Sequence, residues 1–308
     1  MNDGVRGGGV GSRDVDLPSL DLDDVDGPIA FREWDGPADT TFVLVHGLGG
    51  SHVNWVRVAE GLSGLGRVVA PDLPGFGWSP REGRDTGVMG MRRALGGFLD
   101  RHAQGPVVLC GNSMGGGIAM LHAAIEPDRV RGLVLTSSVF PWVRGALPHP
   151  AVMSAFAAYD AGRVGETFVR QRMRRLSADR VVRIGFAITT ADPHALPADV
   201  VALHVEAVRQ RQADPQAPEA FLQAARSLLR LGRRPDVSAR ALAAVRCPVL
   251  VIHGRRDRLI PARFAGSTLA QHPTWRGRFL PNVGHVPMLE APGRWLSEVA
   301  DWYAERID

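Results

Sequence analysis

Apolar residues occur in short, unbroken runs from Thr41 onward, and each run is bounded by glycine, proline or a charged residue. The clearest runs are residues 42–45, 68–70, 107–110, 133–135 and 249–252. Runs of this length without polar alternation are typical of strands that are buried on both faces, as in a parallel sheet. The pattern therefore predicts a mostly parallel central sheet.

Segments with helical spacing of apolar residues separate these runs, over residues 91–102, 116–124 and 291–303. In the last segment, Trp295, Val299 and Trp302 fall on one side of a helix, which predicts an apolar stripe against the sheet. Strands that alternate with helices indicate an α/β fold with right-handed crossovers, flanked by helices on both faces. Ligands of such folds bind at the carboxyl ends of the strands.

The pattern changes between residues 140 and 240, where the chain is helical in periodicity, rich in alanine and arginine, and divided by several prolines. No buried-strand run occurs there. A helical block inserted between two strands of one sheet is expected to lie over the strand ends as a cap, and a separate helical domain is the alternative. The predicted organisation is a flexible tail at 1–26, a core domain at 27–139 and 241–308, and a cap at 140–240.

The composition is that of a globular protein, since 45% of the 308 residues are hydrophobic and 22% are charged. All 36 basic residues are arginines interleaved with acids, so the net charge of +4 does not indicate a nucleic-acid partner. Cys110 and Cys247 are too few for a disulfide framework and are expected to pack as small core residues. No window resembles a secretory signal or a membrane span, which favours a cytoplasmic protein without stable membrane insertion; the oligomeric state stays open.

The sharpest chemical signal is the segment Gly111-Asn112-Ser113-Met114-Gly115, between the predicted strand at 107–110 and the helix that begins near residue 116. Gly-x-Ser-x-Gly in a strand–turn–helix context is typical of a nucleophile elbow. A turn this tight forces the serine into a sparsely populated backbone conformation, and the two flanking glycines provide the necessary room. Ser113 is therefore the predicted nucleophile.

A serine hydroxyl needs a base to remove its proton and a carboxylate to orient that base. The chain order expected for such an elbow is serine, acid, histidine. Asp257 follows the predicted strand at 249–252, and His285 lies between a short predicted strand at 278–280 and the last helix. Because both loops are expected at the catalytic edge of the sheet, we predict that Ser113, Asp257 and His285 form a catalytic triad.

A tetrahedral intermediate also needs N–H donors for its oxyanion, and loss of one donor typically costs about a hundred- to a thousandfold in rate. The first predicted donor is the backbone N–H of Met114, directly after the nucleophile. The second is expected in the glycine-rich segment 46–50, where Leu48 N–H is the candidate and His46 is expected to be structural. The sequence carries neither a metal-ligand spacing nor a dinucleotide-binding motif, so it implies no metal and no cofactor.

Together these motifs resemble those of the α/β-hydrolase superfamily, in the serine-nucleophile branch that carries a helical cap. The resemblance covers residues 29–139 and 247–307, and it includes segment 71–79, which resembles the family's loop between the second core strand and its helix. It implies the α/β-hydrolase fold, a triad at Ser113, Asp257 and His285, and an oxyanion hole at Leu48 and Met114. No motif matches the cap.

A serine nucleophile favours hydrolysis of a carboxylic ester, a lactone or a thioester of a small, largely apolar substrate. The dehalogenase and epoxide-hydrolase relatives that this chain resembles attack through a carboxylate instead. Four aromatic side chains in segments expected to border the cleft are the candidate substrate-binding residues: Phe76, Trp78, Phe140 and Trp142.

Three alternatives stay open. Asn112 in the elbow resembles the hydrolases that cut carbon–carbon bonds in ring-cleavage products, although those relatives usually carry tryptophan after the histidine and here Val286 follows it. Cofactor-free perhydrolases share the same triad. The third alternative is a non-catalytic binding protein of the same fold, but such proteins often lack a member of the triad and none is missing here.

Overall fold

Eight strands form a single sheet within residues 17–37, 39–141 and 146–307, the part of the chain that the computed structural model describes. In chain order they are β1 Asp21–Asp24, β2 Pro28–Trp34, β3 Thr41–Val45, β4 Arg67–Pro71, β5 Val107–Asn112, β6 Val130–Thr136, β7 Val249–Gly254 and β8 Arg276–Leu280. Their order across the sheet is β1-β2-β4-β3-β5-β6-β7-β8. All neighbours from β4 to β8 are parallel, which confirms the predicted mostly parallel sheet.

The remaining two strands, β1 and β2, are antiparallel additions at one edge of the sheet. The predicted flexible tail at 1–26 is therefore wrong for residues 21–24, which pair with β2 in the register Leu22 to Ala30. The side chain of Leu22 is 67% exposed. A charged edge strand that is held by backbone hydrogen bonds has no buried face, so no hydrophobic pattern predicts it.

Helices cover both faces of the sheet. In chain order they are α1 Ala59–Ser63, α2 Val88–His102, α3 Met114–Ile125, α4 Pro150–Asp160, α5 Gly162–Arg175, α6 Ala178–Thr189, α7 Ala198–Ala213, α8 Ala217–Gly232, α9 Pro235–Ala244, α10 Ala262–Gln271, α11 Pro287–Glu290 and α12 Pro292–Arg306. Two short 3₁₀ turns occupy His52–Trp55 and Pro127–Arg129. None of the described helices combines the length and the apolar character needed to cross a membrane.

The two faces of the sheet bury separate hydrophobic clusters, because successive side chains of a strand point to opposite sides. Phe42 and Leu44 of β3 belong to the cluster that contains Trp295 and Trp302 of α12, whereas Val43 belongs to the cluster on the other face. The stripe predicted for the last helix is confirmed. Burial of an aliphatic or phenylalanine side chain contributes about 1.5–3 kcal/mol, so the two clusters hold the strands between the helical layers.

Among the described residues between β6 and β7 there are six consecutive helices, α4 to α9. The last of them, α9, packs against α3, and its Leu242 is buried in the same cluster as Ile118. The predicted boundary at residue 240 therefore falls inside a helix that packs with the core, because helical periodicity alone does not tell which neighbour a helix packs against. We call α4 to α8, residues 150–232, the helical insertion. Its helix α7 contacts the 3₁₀ turn that begins at His52.

Candidate active site

Ser113 lies in the turn between β5 and α3, with φ of 54° and ψ of −116°. This left-handed conformation costs a non-glycine residue about 1–3 kcal/mol. The flanking glycines are required by space, since a Cβ on Gly111 would lie 2.5 Å from the carbonyl oxygen of Gly115. A Cβ on Gly115 would lie 2.2 Å from the carbonyl oxygen of Val45. The backbone therefore adopts the strained turn that the sequence predicts.

His285 and Asp257 form a buried pair, in which Nδ1 of the imidazole lies 2.7 Å from Oδ2 of the carboxylate. The other carboxylate oxygen accepts hydrogen bonds from the backbone N–H groups of Leu259 at 2.8 Å and Ile260 at 2.9 Å. Burial favours the neutral acid, but the charge of His285 and the hydrogen bonds from His253 and His285 outweigh it and hold the pKa of Asp257 well below its ordinary value. Asp257 is thus an ionised, fixed acceptor for Nδ1–H.

Asn112 connects this pair to the turn that carries Ser113. Its side-chain amide donates to the carbonyl oxygen of Thr136 at 3.1 Å and to that of His285 at 3.2 Å. Within the described residues, no hydrogen bond joins the hydroxyl of Ser113 to the imidazole of His285. The structure thus pairs the histidine with the acid and holds the histidine loop beside the serine, with the last link of the predicted triad unformed.

The glycine-rich loop after β3 lies against Ser113, because a Cβ on Gly47 would be 3.1 Å from the Cβ of the serine. Among the described residues, the backbone N–H groups of Leu48 and Met114 have no hydrogen-bond partner. For Met114 this follows from its place at the first position of α3, where helical N–H groups have no intrahelical acceptor. Both predicted oxyanion donors are therefore free to bind an oxygen atom.

His46 fixes the shape of this loop. Its Nδ1 donates to the carbonyl oxygen of Gly47 at 2.8 Å, and its Nε2 accepts a hydrogen bond from the N–H of Leu73 at 2.9 Å. One ring nitrogen must carry hydrogen and the other must not, so the imidazole is neutral. Burial lowers the pKa of His46, which keeps it neutral.

Glu290 was missed from the sequence, although it holds the loop that carries His285. Its carboxylate accepts the N–H of Gly284 at 2.9 Å and 3.0 Å, that of Val286 at 3.4 Å, and that of Ala191 in the helical insertion at 2.7 Å. The N–H of His285 itself donates to the carbonyl oxygen of Thr189 at 2.6 Å. A glutamate on α11 whose partners are all backbone atoms leaves no signal in a single sequence.

His253 was also missed. Its imidazole is fully buried, and its Nε2 donates to the carbonyl oxygen of Ile260 at 2.9 Å and lies 3.3 Å from Oδ2 of Asp257. The same residue, Ile260, gives its N–H to the other oxygen of Asp257. His253 therefore anchors the acid loop to the end of β7. The only signal in the sequence was the position of His253 at the end of a buried strand. A histidine that merely packs in the core would occupy the same position.

The four aromatic candidates for substrate binding have different surroundings. Phe76 and Phe140 are buried in the hydrophobic cluster that contains Val43, and Phe76 packs on His46 with ring centroids 5.7 Å apart. Trp78 packs on His52 and lines a surface cleft beside α7. Trp142 lies outside the described residues. The contact of any of them with a substrate stays a prediction.

Within the part of the chain that the structure describes, this site has neither a cluster of metal ligands nor a reactive thiol. No cluster of three or more histidine, cysteine, aspartate or glutamate side chains within the described ranges could hold a metal ion. Burial raises the pKa of both thiols, to about 11 for Cys247 and further for Cys110, so neither is a thiolate at neutral pH. The chemistry available at the strand ends is that of a hydroxyl, an imidazole, a carboxylate and backbone N–H groups.

A parallel sheet with a serine in a strained strand–turn–helix and a histidine–acid pair at neighbouring strand ends defines a hydrolase of the α/β class. Residues 40–292 match the family described as alpha/beta hydrolase fold, so the chain belongs to that family.

Three proteins that are similar to this chain have different names within that family. The chain is 26% identical to Lipase 1 of Psychrobacter immobilis, with 94% of this chain and 83% of the lipase covered. It is 29% identical to a 2-hydroxymuconate semialdehyde hydrolase of Pseudomonas sp. (strain CF600), with 88% of this chain and 89% of that enzyme covered. A solved thermophilic esterase from Thermogutta terrifontis shares the fold with a TM-score of 0.66 at 24% identity, over 94% of this chain and 98% of the esterase.

Proposed function

We propose that this hydrolase is a serine esterase, which cleaves a carboxylic ester, lactone or thioester of a small, largely apolar substrate through an acyl-enzyme. The observation that carries the proposal is the His285–Asp257 pair, which Asn112 ties to the turn of Ser113 through the carbonyl oxygen of His285. The two unpartnered N–H groups of Leu48 and Met114 support it.

In the proposed reaction, Nε2 of His285 removes the proton of Ser113 while the seryl oxygen attacks the carbonyl carbon. The N–H groups of Leu48 and Met114 bind the oxyanion. His285 then gives its proton to the leaving oxygen, or to the leaving sulfur of a thioester, as the bond from that atom to the acyl carbon breaks. In the second half it takes a proton from the water that attacks the acyl-enzyme and returns it to the oxygen of Ser113 as the acyl–serine bond breaks and the carboxylic acid leaves. Asp257 holds Nδ1–H throughout and stays ionised, in keeping with the lowered pKa of its carboxyl.

The proposed mechanism is compatible with the absence, among the described residues, of a hydrogen bond between the Ser113 hydroxyl and the His285 imidazole. Catalytic hydrogen bonds of free enzymes are often long and tighten when substrate binds. The N–H of His285 donates to the carbonyl oxygen of Thr189 in the helical insertion, and the N–H of Ala191 in that insertion donates to the carboxylate of Glu290. We therefore expect the final link to form when substrate binds.

Covalent labelling with a fluorophosphonate probe tests the nucleophile directly. We expect the wild-type protein to be labelled at Ser113, and we expect Ser113→Ala to lose both labelling and p-nitrophenyl butyrate hydrolysis by about 10⁴-fold or more. Ser79 is buried and hydrogen-bonded to the carbonyl oxygen of Asp72, so Ser79→Ala should keep the labelling and controls for non-specific reaction. Full turnover by Ser113→Ala would end the proposal.

A carbon–carbon bond hydrolase is the second candidate. It is favoured by the similarity to the 2-hydroxymuconate semialdehyde hydrolase and by the Asn112 side chain beside the nucleophile. The aliphatic, buried Val286 after the histidine argues against it. Parallel assays of a ring-cleavage dienone and of p-nitrophenyl esters decide between the two, because the favoured substrate class should have a kcat/KM at least tenfold higher.

A further inference from the structure

Arg211, near the end of α7 in the helical insertion, is a cation without an acidic partner close to the predicted oxyanion loop. Its Nη1 donates to the carbonyl oxygen of Gly49 at 2.6 Å. Its Nε is inaccessible to solvent and has no hydrogen-bond partner, and within the described residues no ion pair includes Arg211. A buried N–H of a charged group is costly when it is left unsatisfied, so this edge of the guanidinium needs an acceptor.

A second arginine lies near the first. Arg172 of α5 donates to the hydroxyl of Tyr159 at 3.1 Å, and it too is in no ion pair among the described residues. Burial and the positive charge of Arg172 both lower the pKa of Arg211, to about 10, so Arg211 stays charged at neutral pH. Two cations that repel each other are stabilised by an anion between them.

Among the described residues, the nearby acidic side chains do not supply the anion that would neutralise Arg211 and Arg172. Asp214 lines the same surface cleft as Arg211 and Trp78, but it lies beyond ion-pair distance and accepts the N–H of Gln216. Glu166 is paired with Arg226 at 3.3 Å. Neither of these two carboxylates pairs with the arginines, which leaves the site open to an anion from outside the described chain.

The free edge of Arg211 has the geometry for a carboxylate. Because Nη1 binds Gly49, the Nε–H and one Nη2–H are left as parallel donors on the opposite edge, which matches the two oxygens of a carboxylate. Gly49 is two residues from Gly47, which contacts Ser113. Two peptide steps of about 3.8 Å each put the guanidinium on the order of 10 Å from the serine, within reach of a small substrate.

We propose that Arg211 and Arg172 bind a carboxylate of the substrate, so that the ester cleaved by Ser113 belongs to a half-esterified dicarboxylic acid or a similar anionic ester. This inference rests on the proposed esterase function for the reacting end of the substrate. The inference adds a binding site for the carboxylate at the opposite end of the substrate. An aromatic wall beside it, formed by Tyr159, Phe156 and Phe221 around Leu48, suits the apolar chain between the two groups.

The test compares monomethyl adipate with methyl hexanoate, which share a six-carbon acyl chain and differ in the terminal carboxylate. We expect the wild-type protein to have a higher kcat/KM for monomethyl adipate, and Arg211→Gln and Arg172→Gln each to reduce that preference about tenfold through KM, as expected for a charge-assisted hydrogen bond. Arg211→Lys should lie between, because it keeps the charge and loses the paired donors. Arg174→Gln, which changes an exposed arginine on the same helix as Arg172, should keep the preference.

A binding measurement separates this inference from the esterase proposal. Calorimetric titration of Ser113→Ala with monomethyl adipate needs no turnover, and binding should weaken in the Arg211→Gln background and at high salt. Binding that depends on Arg211, with no ester hydrolysis by the wild-type protein, would keep the carboxylate site and reject the esterase. Hydrolysis of both esters at equal kcat/KM, unaffected by either arginine substitution, would keep the esterase and overturn the carboxylate site.

Discussion

In the core, the groups proposed to react are side chains at the ends of β5, β7 and β8, whereas the helical insertion holds the loop of His285 with backbone atoms. The carbonyl oxygen of Thr189 and the N–H of Ala191 bind the loop of His285 and the carboxylate of Glu290. A reacting side chain cannot be exchanged for another, but a backbone atom is supplied by any residue that keeps its position. Around the loop of His285, the core is therefore constrained by residue identity and the insertion by geometry, whereas the proposed carboxylate site of the insertion depends on the side chains of Arg211 and Arg172.

A glycine-to-alanine substitution in the core, compared with one in the insertion, is expected to have the largest effect on stability and activity. In Gly115→Ala the new methyl group would meet the backbone oxygens of Val45 and His46 at 2.2 Å and 2.5 Å, neither of which can move without distorting β3. We expect the free energy of unfolding to fall by about 2 kcal/mol or more, because overpacking against backbone is costly, and the proposed esterase activity to be lost with the turn. Urea denaturation and p-nitrophenyl ester hydrolysis measure the two effects.

The matched control lies in the insertion. Gly185 is inside α6, and nothing lies within 4 Å of the Cβ that an alanine would add. Gly185→Ala should raise the free energy of unfolding by about 0.5–1 kcal/mol, because alanine loses less backbone entropy in a helix, and should leave kcat unchanged. Equal effects of the two alanines would break the distinction between core and insertion.

The same distinction explains what the sequence could predict. The elbow, the acid and the histidine were predicted to lie at neighbouring strand ends because each carries a local signal, such as glycines at fixed spacing or a buried strand directly before it. Helices α4 to α8 were predicted only as a helical block, since their partners are set by packing with distant segments. Edge strand β1 was missed because backbone pairing alone holds it.

The residues that hold the side chains of the proposed triad were the least predictable. Glu290 binds backbone N–H groups from two segments that are about a hundred residues apart in the chain, so no motif joins them. The hydrogen bond from Asn112 to the carbonyl oxygen of His285 likewise depends on the completed sheet. Local sequence patterns thus identify the residues of the proposed triad, whereas the contacts that hold them in place are known only from the folded structure.

Glu290→Gln tests the junction between the two regions, with an intermediate effect. Its amide would replace one of the two carboxylate oxygens by an NH₂ group, which cannot accept the backbone N–H groups that now bind there. We therefore expect the loop of His285 to shift and kcat to fall by about ten- to a hundredfold, a loss typical of misplaced catalytic groups. Steady-state kinetics measure this. Glu305→Gln, which alters a surface ion pair with Arg276, should change kcat by less than about twofold. An unchanged kcat in Glu290→Gln would show that the insertion does not position the histidine.

The smallest effect is a pH dependence of stability that arises at Asp257 in the core. The pKa of its carboxyl is lowered in the folded protein, so its contribution to the free energy of unfolding is complete above the unfolded value of about 3.9 and is lost as pH falls through the folded pKa. We therefore expect Asp257→Asn to lose this contribution, and the stability difference between wild type and Asp257→Asn to shrink as the pH is lowered from 6 toward 4 and below. Urea denaturation at each pH measures the difference, in which the exposed acids common to both proteins cancel.

His285, His253 and Glu290 face the carboxyl of Asp257. Glu290 opposes the trend, because burial first, and the charge of Asp257 to a lesser extent, raise the pKa of Glu290. Asp100→Asn, at an exposed ion pair with Arg129, should show no such change, and a pH-independent difference for Asp257→Asn would mean that His285 and His253 do not stabilise the ionised acid.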